Sequence, residues 1–560
     1  MSSEQKKNIT QNFQKSFFLR PWLLVVFFLG FFTFGVADEE EILKSMTLEE
    51  KIGQLFIVPA CAERYDDRHF FDLEQLIKKY HVGGILLKTG TPLQQRNLIH
   101  LANSCSKLPM IIAADAENGL AMRMSKTIAF PKNLTLGAVK DDSLLYEMGK
   151  EIGRQCRLLG IHMNFAPVID VNTNPNNPII HMRSFGDCPE KVAAKGAALV
   201  RGMQENHVIA CAKHFPGHGD VSIDSHLGLP TLLHQKKRLE EIEIRPFREM
   251  MQAGLDAIMT AHLQVPSMDT EYPATLSHRL IHNYWKEKMH YAGLMVTDAL
   301  NMKALTMHFT SQEIALQALL AGNDLLLYGD HISDKVDEIL QKTVPLAADF
   351  LILSCRQGKI SEDLINEKVR KILQRKKAFE ENKHTDELLA KLNTPEAFSL
   401  RKELYRQALT LVEDPHGILQ QFSGENIAYV ERGINQPSLF YKEISNKFPV
   451  SYFNTEDADL RNLLKELAAF DRVIIGDFGC SCAVGSQCNI TDDWRRFLMQ
   501  LNEKAVHVIF KTPYSLMFLP CGRATVMGYE PDPDMQEAAA QLISGQIKAN
   551  GELPITVQRL

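Results

Sequence analysis

Residues 213–230, KHFPGHGDVSIDSHLGLP, decide how the rest of the chain is read. They hold three histidines, two aspartates, three glycines and two prolines, directly after the apolar run 208–212. Pro216, Gly217 and Gly219 break regular structure and permit tight turns. A loop of titratable groups carried on a buried strand is where an α/β scaffold places its chemistry. Within it, Asp224-Ser225-His226 sets a carboxylate two residues before an imidazole, within reach of one ring nitrogen in a turn. Such a contact fixes the tautomer and leaves the other nitrogen for proton transfer. Residue types alone leave two further readings open: a zinc site built from His214, His218 and His226, and histidines that only hydrogen-bond the loop.

Working outward, short apolar runs followed by helix-length segments recur at 54–60, 83–87, 110–114, 162–171, 208–212, 256–260, 293–297 and 324–328. Eight such units between residues 38 and 392 predict a (β/α)8 barrel. In one crossover, Leu239, Ile242, Phe247, Met250 and Met251 recur at spacings that predict a single amphipathic helix. In a barrel, chemistry belongs at the carboxyl ends of the strands. Asp115 ends the third run, with Arg123 eight residues on. The fourth carries Asn164 and ends near Asp170, the sixth ends at His262, and the seventh ends at Asp298. Asp170 reads equally as a loop-fixing acceptor, and Asp115 with Arg123 as a plain ion pair.

The run KHFPGHG followed by D-S-H resembles the signature of the family 3 glycoside hydrolases, in the β-N-acetylglucosaminidase branch. The likeness extends through MTLEEKIGQLF (46–56), DAENG from Asp115, NFAPVIDV from Asn164, RSFGDCP from Arg183 and VTDALNM around Asp298. It implies a barrel followed by a smaller α/β sandwich-like domain, and hydrolysis of terminal β-linked N-acetylglucosamine with retention. It implies Asp298 as nucleophile, His226 as general acid/base supported by Asp224, and sugar contacts from Asp115, Arg123, Arg183, Lys213 and His214. No cofactor and no metal are expected, because Asp298 supplies the nucleophile that a metal-bound water would otherwise provide. Asn118 and Leu120 depart from the family pattern, which has glycine and commonly arginine there. A β-glucosidase of the same family, a phosphorylase using the same dyad, and a non-catalytic wall-binding protein are the competing classes.

Beyond Asn393-Thr394-Pro395, apolar runs at 426–430, 450–453, 472–478, 506–511 and 524–528 and a late helix over 537–547 predict a second α/β domain spanning 393–560. Its closing NGELPITV resembles the end of the family's second domain. The family's glucosidase branch takes its acid/base from this domain, whereas here the dyad supplies one in the barrel. Residues 1–37 read as a basic n-region, an apolar h-region and a small-residue cleavage site after Ala37. A cleaved leader predicts export to the periplasm or outside the cell, and an uncleaved anchor would add membrane association. A net charge of −6 over 560 residues offers no basic face for nucleic acid. Ten cysteines are few for a disulfide scaffold, and the cluster Cys480, Cys482 and Cys488 predicts a local disulfide rather than a metal site.

Overall fold

The structure is a computed structural model that describes residues 39–64, 67–329, 336–379, 388–421, 426–456, 458–479 and 487–558. The leader and the positions of Cys480 and Cys482 lie outside the described residues. Cys488 is disulfide-bonded.

Eight parallel strands follow one another in space as they do in sequence: β1 (Phe56–Ala60), β2 (Gly84–Leu87), β3 (Ile111–Ala114), β4 (Met163–Asn164), β5 (Ile209–Phe215), β6 (Ala257–Thr260), β7 (Leu294–Thr297) and β8 (Leu326–Leu327). β1 pairs with both β2 and β8, and a bridge from Val296 to Leu325 joins β7 to β8 and closes the barrel. All residues of these strands are buried, as expected of strands covered on both faces, which is why they read as continuous apolar runs. The crossover helices start on matched signals. Thr47 and Thr91 form capping boxes with Glu50 and Gln94, and Asp141 caps the helix Asp142–Leu159, which ends on Gly160 in the left-handed region.

Three local expectations are corrected. The fourth run is a strand only over Met163–Asn164, and beyond it Pro167 lacks a ladder donor; contact with β5 continues through the carbonyls of Ala166 and Pro167, which accept from Cys211 and Lys213, and through Ile169 N–H, which donates to Lys213 O at 2.9 Å. Conversely β5 runs on to Phe215, so Lys213 and His214 stand on the strand rather than in the loop after it. The single crossover helix is two, Lys236–Glu241 and Arg245–Gln252, with Pro246 in the first turn of the second.

The amino end of the barrel is sealed by paired charges. Asp324 is fully buried and meets Lys286 at 3.0 Å and Lys368 at 3.3 Å. Burial would raise its carboxyl, but these lysines outweigh that and hold it well below the usual range.

The second sheet runs β11-β10-β12-β13-β14-β9, where β9 is Thr410–Glu413, β10 Ile427–Arg432, β11 Val450–Asn454, β12 Arg472–Asp477, β13 Ala505–Ile509 and β14 Ala524–Met527. It is parallel except for β9, which pairs antiparallel with β14 at the edge and was not expected from the sequence. The late helix begins four residues earlier than expected, at Pro533 after the Asp532 cap, and ends at Ile543. Among the described residues no helix is long and apolar enough to cross a membrane.

Candidate active site

At the carboxyl end of the barrel lies a pocket of about 260 Å³, lined by Asp115, Arg123, Arg183, Lys213, His214, His226 and Asp298 together with Glu117 and His218. Seven of the eight residues singled out from the sequence thus share one cavity. The eighth, Asp224, stands behind His226.

One wall is an ion-pair lattice centred on Lys213. Its ammonium reaches Asp115 Oδ1 and Glu117 Oε1, each at 2.8 Å. Arg123 Nη2 donates to the other oxygen of Asp115 at 3.0 Å. Arg183 clamps Glu117 with Nε at 3.0 Å and Nη2 at 2.7 Å. Burial would push the Glu117 carboxyl up, but Arg183 and Lys213 hold it far below the ordinary range. Burial would likewise lower Lys213, and Asp115 and Glu117 keep it raised. Glu117 and Lys213 therefore stay ionised through neutral pH. Glu117 was not named from the sequence; a second carboxylate two residues past the strand-ending Asp115 was the available signal.

Next to this wall, Asp170 is the loop-fixing acceptor. Its Oδ1 takes the backbone N–H groups of His214 and His218, at 3.2 and 2.6 Å, and its Oδ2 holds His214 Nδ1 at 2.7 Å. Burial keeps His218 neutral, its imidazole lowered to about 4, and its Nε2 lies 3.1 Å from Ser225 Oγ. Ser225 is thereby pinned between the two members of the dyad. Asp224 Oδ1 takes both the backbone N–H of His226, at 2.9 Å, and its Nδ1, at 2.7 Å. Burial would raise Asp224, but hydrogen bonding to His226 leaves it lowered. With Nδ1–H committed to Asp224, the proton His226 can exchange is the one at Nε2.

Asp298 follows β7, and its Oδ1 accepts from Ala299 N–H at 2.7 Å. His262 is a fully buried, satisfied rim histidine: its ring nitrogens lie 2.9 Å from Thr275 Oγ1 and 2.9 Å from Ala299 O. It braces the turn that carries Asp298. The arrangement can bind a polyhydroxylated molecule through fixed ionic donors and acceptors, and it sets a carboxylate and a proton-carrying imidazole around the same space.

A sequence profile of the Glycosyl hydrolase family 3 N terminal domain matches residues 47–375, more than half of the chain. The chain belongs to glycoside hydrolase family 3. It is a glycosidase by that membership. Beta-hexosaminidase A of Pseudoalteromonas piscicida is 28% identical over 548 residues, covering 87% of this chain and 91% of that protein. A family 3 β-N-acetylglucosaminidase from Paenibacillus sp. str. FPU-7 superposes with a TM-score of 0.76 at 30% identity, over 92% of this chain and all of that one. The β-glucoside phosphorylase BglX, with a TM-score of 0.78 at 20% identity, over 92% of this chain and 96% of that one, shares the fold.

His214, His218 and His226 turn to three different partners, and this is not a shared metal geometry. Among the described residues, the group that converges closely enough to hold an ion is Asp220, His234 and Glu243, within 4.8 Å of one another. All three are already engaged: Asp220 with His234 at 2.5 Å, and Glu243 with Arg238 at 2.7 Å. None of them lines the family 3 pocket.

Proposed function

We propose that this family 3 enzyme removes terminal β-linked N-acetylglucosamine with retention, through a covalent glycosyl-enzyme. Asp298 attacks the anomeric carbon while the Nε2–H of His226 protonates the departing oxygen. The neutral imidazole then takes a proton from water as that water displaces Asp298. Asp224 holds the tautomer and favours the imidazolium, and Asp115, Arg123, Arg183, Lys213 and His214 grip the sugar. One observation carries the reading: the hydrogen-bonded Asp224–His226 pair opens on the same pocket as Asp298. Retaining glycosidases usually set two carboxyl groups about 5–5.5 Å apart. Here an imidazole takes the place of one, and imidazole is the side chain most often used to give and take a proton. The names of the two hexosaminidase relatives support the same substrate class.

With its leader read as a signal peptide or anchor, the enzyme acts after export on wall fragments in which N-acetylglucosamine is joined to N-acetylmuramic acid. The deciding experiment compares release of N-acetylglucosamine and of glucose from aryl β-glycosides, with and without phosphate. Free N-acetylglucosamine formed at a phosphate-independent rate is expected. Glucose release alone, or a sugar phosphate as product, refutes the reading. Sequencing the amino terminus of the protein recovered from the exported fraction tests the leader.

A further inference from the structure

Loop 172–187, which carries Arg183, is a hub with contacts on three sides. Its neck is closed by Asn172 N–H donating to Gly186 O at 2.9 Å. Inward, Arg183 clamps Glu117. Sideways, Asn177 Nδ2 donates to His218 O at 2.8 Å, and Asn174 Nδ2 donates to Val221 O at 3.2 Å, so the loop bearing the dyad hangs from this one. Outward, the loop rests on the second domain. Asn172 Nδ2 donates to the Tyr514 hydroxyl at 2.5 Å, and the Tyr514 ring lies 4.7 Å from that of His181. Asp187 N–H donates to Pro554 O at 3.3 Å, and Thr556 N–H donates to Asp187 Oδ2 at 2.6 Å. Yet among the described residues none from the second domain lines the pocket. The domain touches what holds the catalytic groups and not the groups themselves.

We propose that the second domain sets the position of loop 172–187 and, through it, of the loop carrying His226, with Tyr514 as the positioning residue. The proposal deepens the reading of the pocket given above and rests on it. Four contacts from one domain converge on this single loop. They give a domain without a group in the pocket a physical route to the groups that line it.

Tyr514→Phe keeps the ring and removes only the hydroxyl that Asn172 donates to. In the full-length enzyme, kcat/KM on an aryl β-N-acetylglucosaminide is expected to fall about three- to tenfold, the worth of one net hydrogen bond, with Tm nearly unchanged. The same substitution made in Arg183→Ala should cost measurably less, because the two act through one loop. Amide hydrogen exchange should quicken in 172–187 and 216–228 and stay unchanged elsewhere in the barrel. Asp187→Ala, which releases Thr556, should give the same exchange pattern. Unchanged kcat/KM with unchanged exchange overturns the proposal, as does full additivity with Arg183→Ala, or faster exchange spread evenly through the barrel with a lowered Tm. A wild type silent on N-acetylglucosaminides but active on another β-glycoside removes the substrate assignment. The double-variant and exchange tests then decide the positioning role on that glycoside.

Discussion

Asp224→Asn separates the charge of the dyad from its geometry. The asparagine carbonyl oxygen can still accept from the His226 backbone N–H and from Nδ1–H, the two bonds now made at 2.9 and 2.7 Å. Only the negative charge is lost. With Nδ1 and Oδ1 2.7 Å apart, the charge centres stand about 4 Å from one another. The two side chains are 19% and 17% exposed, so the effective dielectric lies between bulk water and the protein surface value near 20. That brackets the lost attraction at about 1–4 kcal/mol. At roughly 1.4 kcal/mol per pH unit, that energy spans about one to three units on a pH profile. A negative charge beside an imidazole favours its protonated form, so removing the charge favours loss of the proton. In the proposed mechanism the first chemical step needs that proton, so the alkaline limb of kcat/KM should move to more acid pH by this amount. Asp224 itself stays ionised, held low by His226, and adds no limb of its own near neutrality. The assay is a pH profile on a substrate with a poor leaving group, where protonation limits the rate. An alkaline limb that stays in place while activity falls, or that moves to higher pH, refutes the reasoning.

Three further outcomes are expected. Asp298→Asn should lower kcat by more than about a thousandfold while ligand-induced thermal stabilisation survives, since an amide keeps the shape but not the nucleophilicity; activity within tenfold of wild type excludes Asp298 as nucleophile. His226→Ala should lose far less on activated aryl glycosides than on natural disaccharides, because good leaving groups need little protonation; equal losses on both would remove the acid role. Lys213→Met leaves the buried carboxylates of Asp115 and Glu117 without their shared cation and should cost about 3–5 kcal/mol in urea unfolding; a change under about 1 kcal/mol would mean that Lys213 is not the centre of that lattice.

What could be read from the chain divides along physical lines. The barrel was legible because each of its strands is buried on both faces and so writes itself as an apolar run. Errors fell where the backbone departs from a simple pattern, at Pro167 within the fourth run and at Pro246 within an amphipathic stretch. Strand β9 escaped notice because TLVE, antiparallel at the sheet edge, is only partly buried and short. Asp115, Arg123, Asp298 and the loop bearing His226 were legible from chemistry-bearing types at carboxyl ends, whereas Arg183 came only through the family resemblance. Glu117 was missed although it stands two residues past Asp115, and His218, open to a zinc reading and to a loop-bonding one, takes the second through Ser225. The contact of Tyr514 with Asn172 spans 342 positions, and no local periodicity encodes which distant loops will meet.

The lattice around Lys213 bears on how a substrate is captured. Three cationic side chains, Arg123, Arg183 and Lys213, line the pocket with three acidic ones, Asp115, Glu117 and Asp298. Opposite charges so closely interleaved cancel within a few ångströms, and little field reaches past the roughly 8 Å over which physiological salt screens anyway. The pocket's own charges therefore do little to steer a ligand from a distance, and an uncharged sugar gives up little there by being uncharged. In the proposed mode of binding, discrimination begins once hydroxyls replace water on the rim of these ion pairs, which makes stereochemistry rather than electrostatic attraction the first thing sensed.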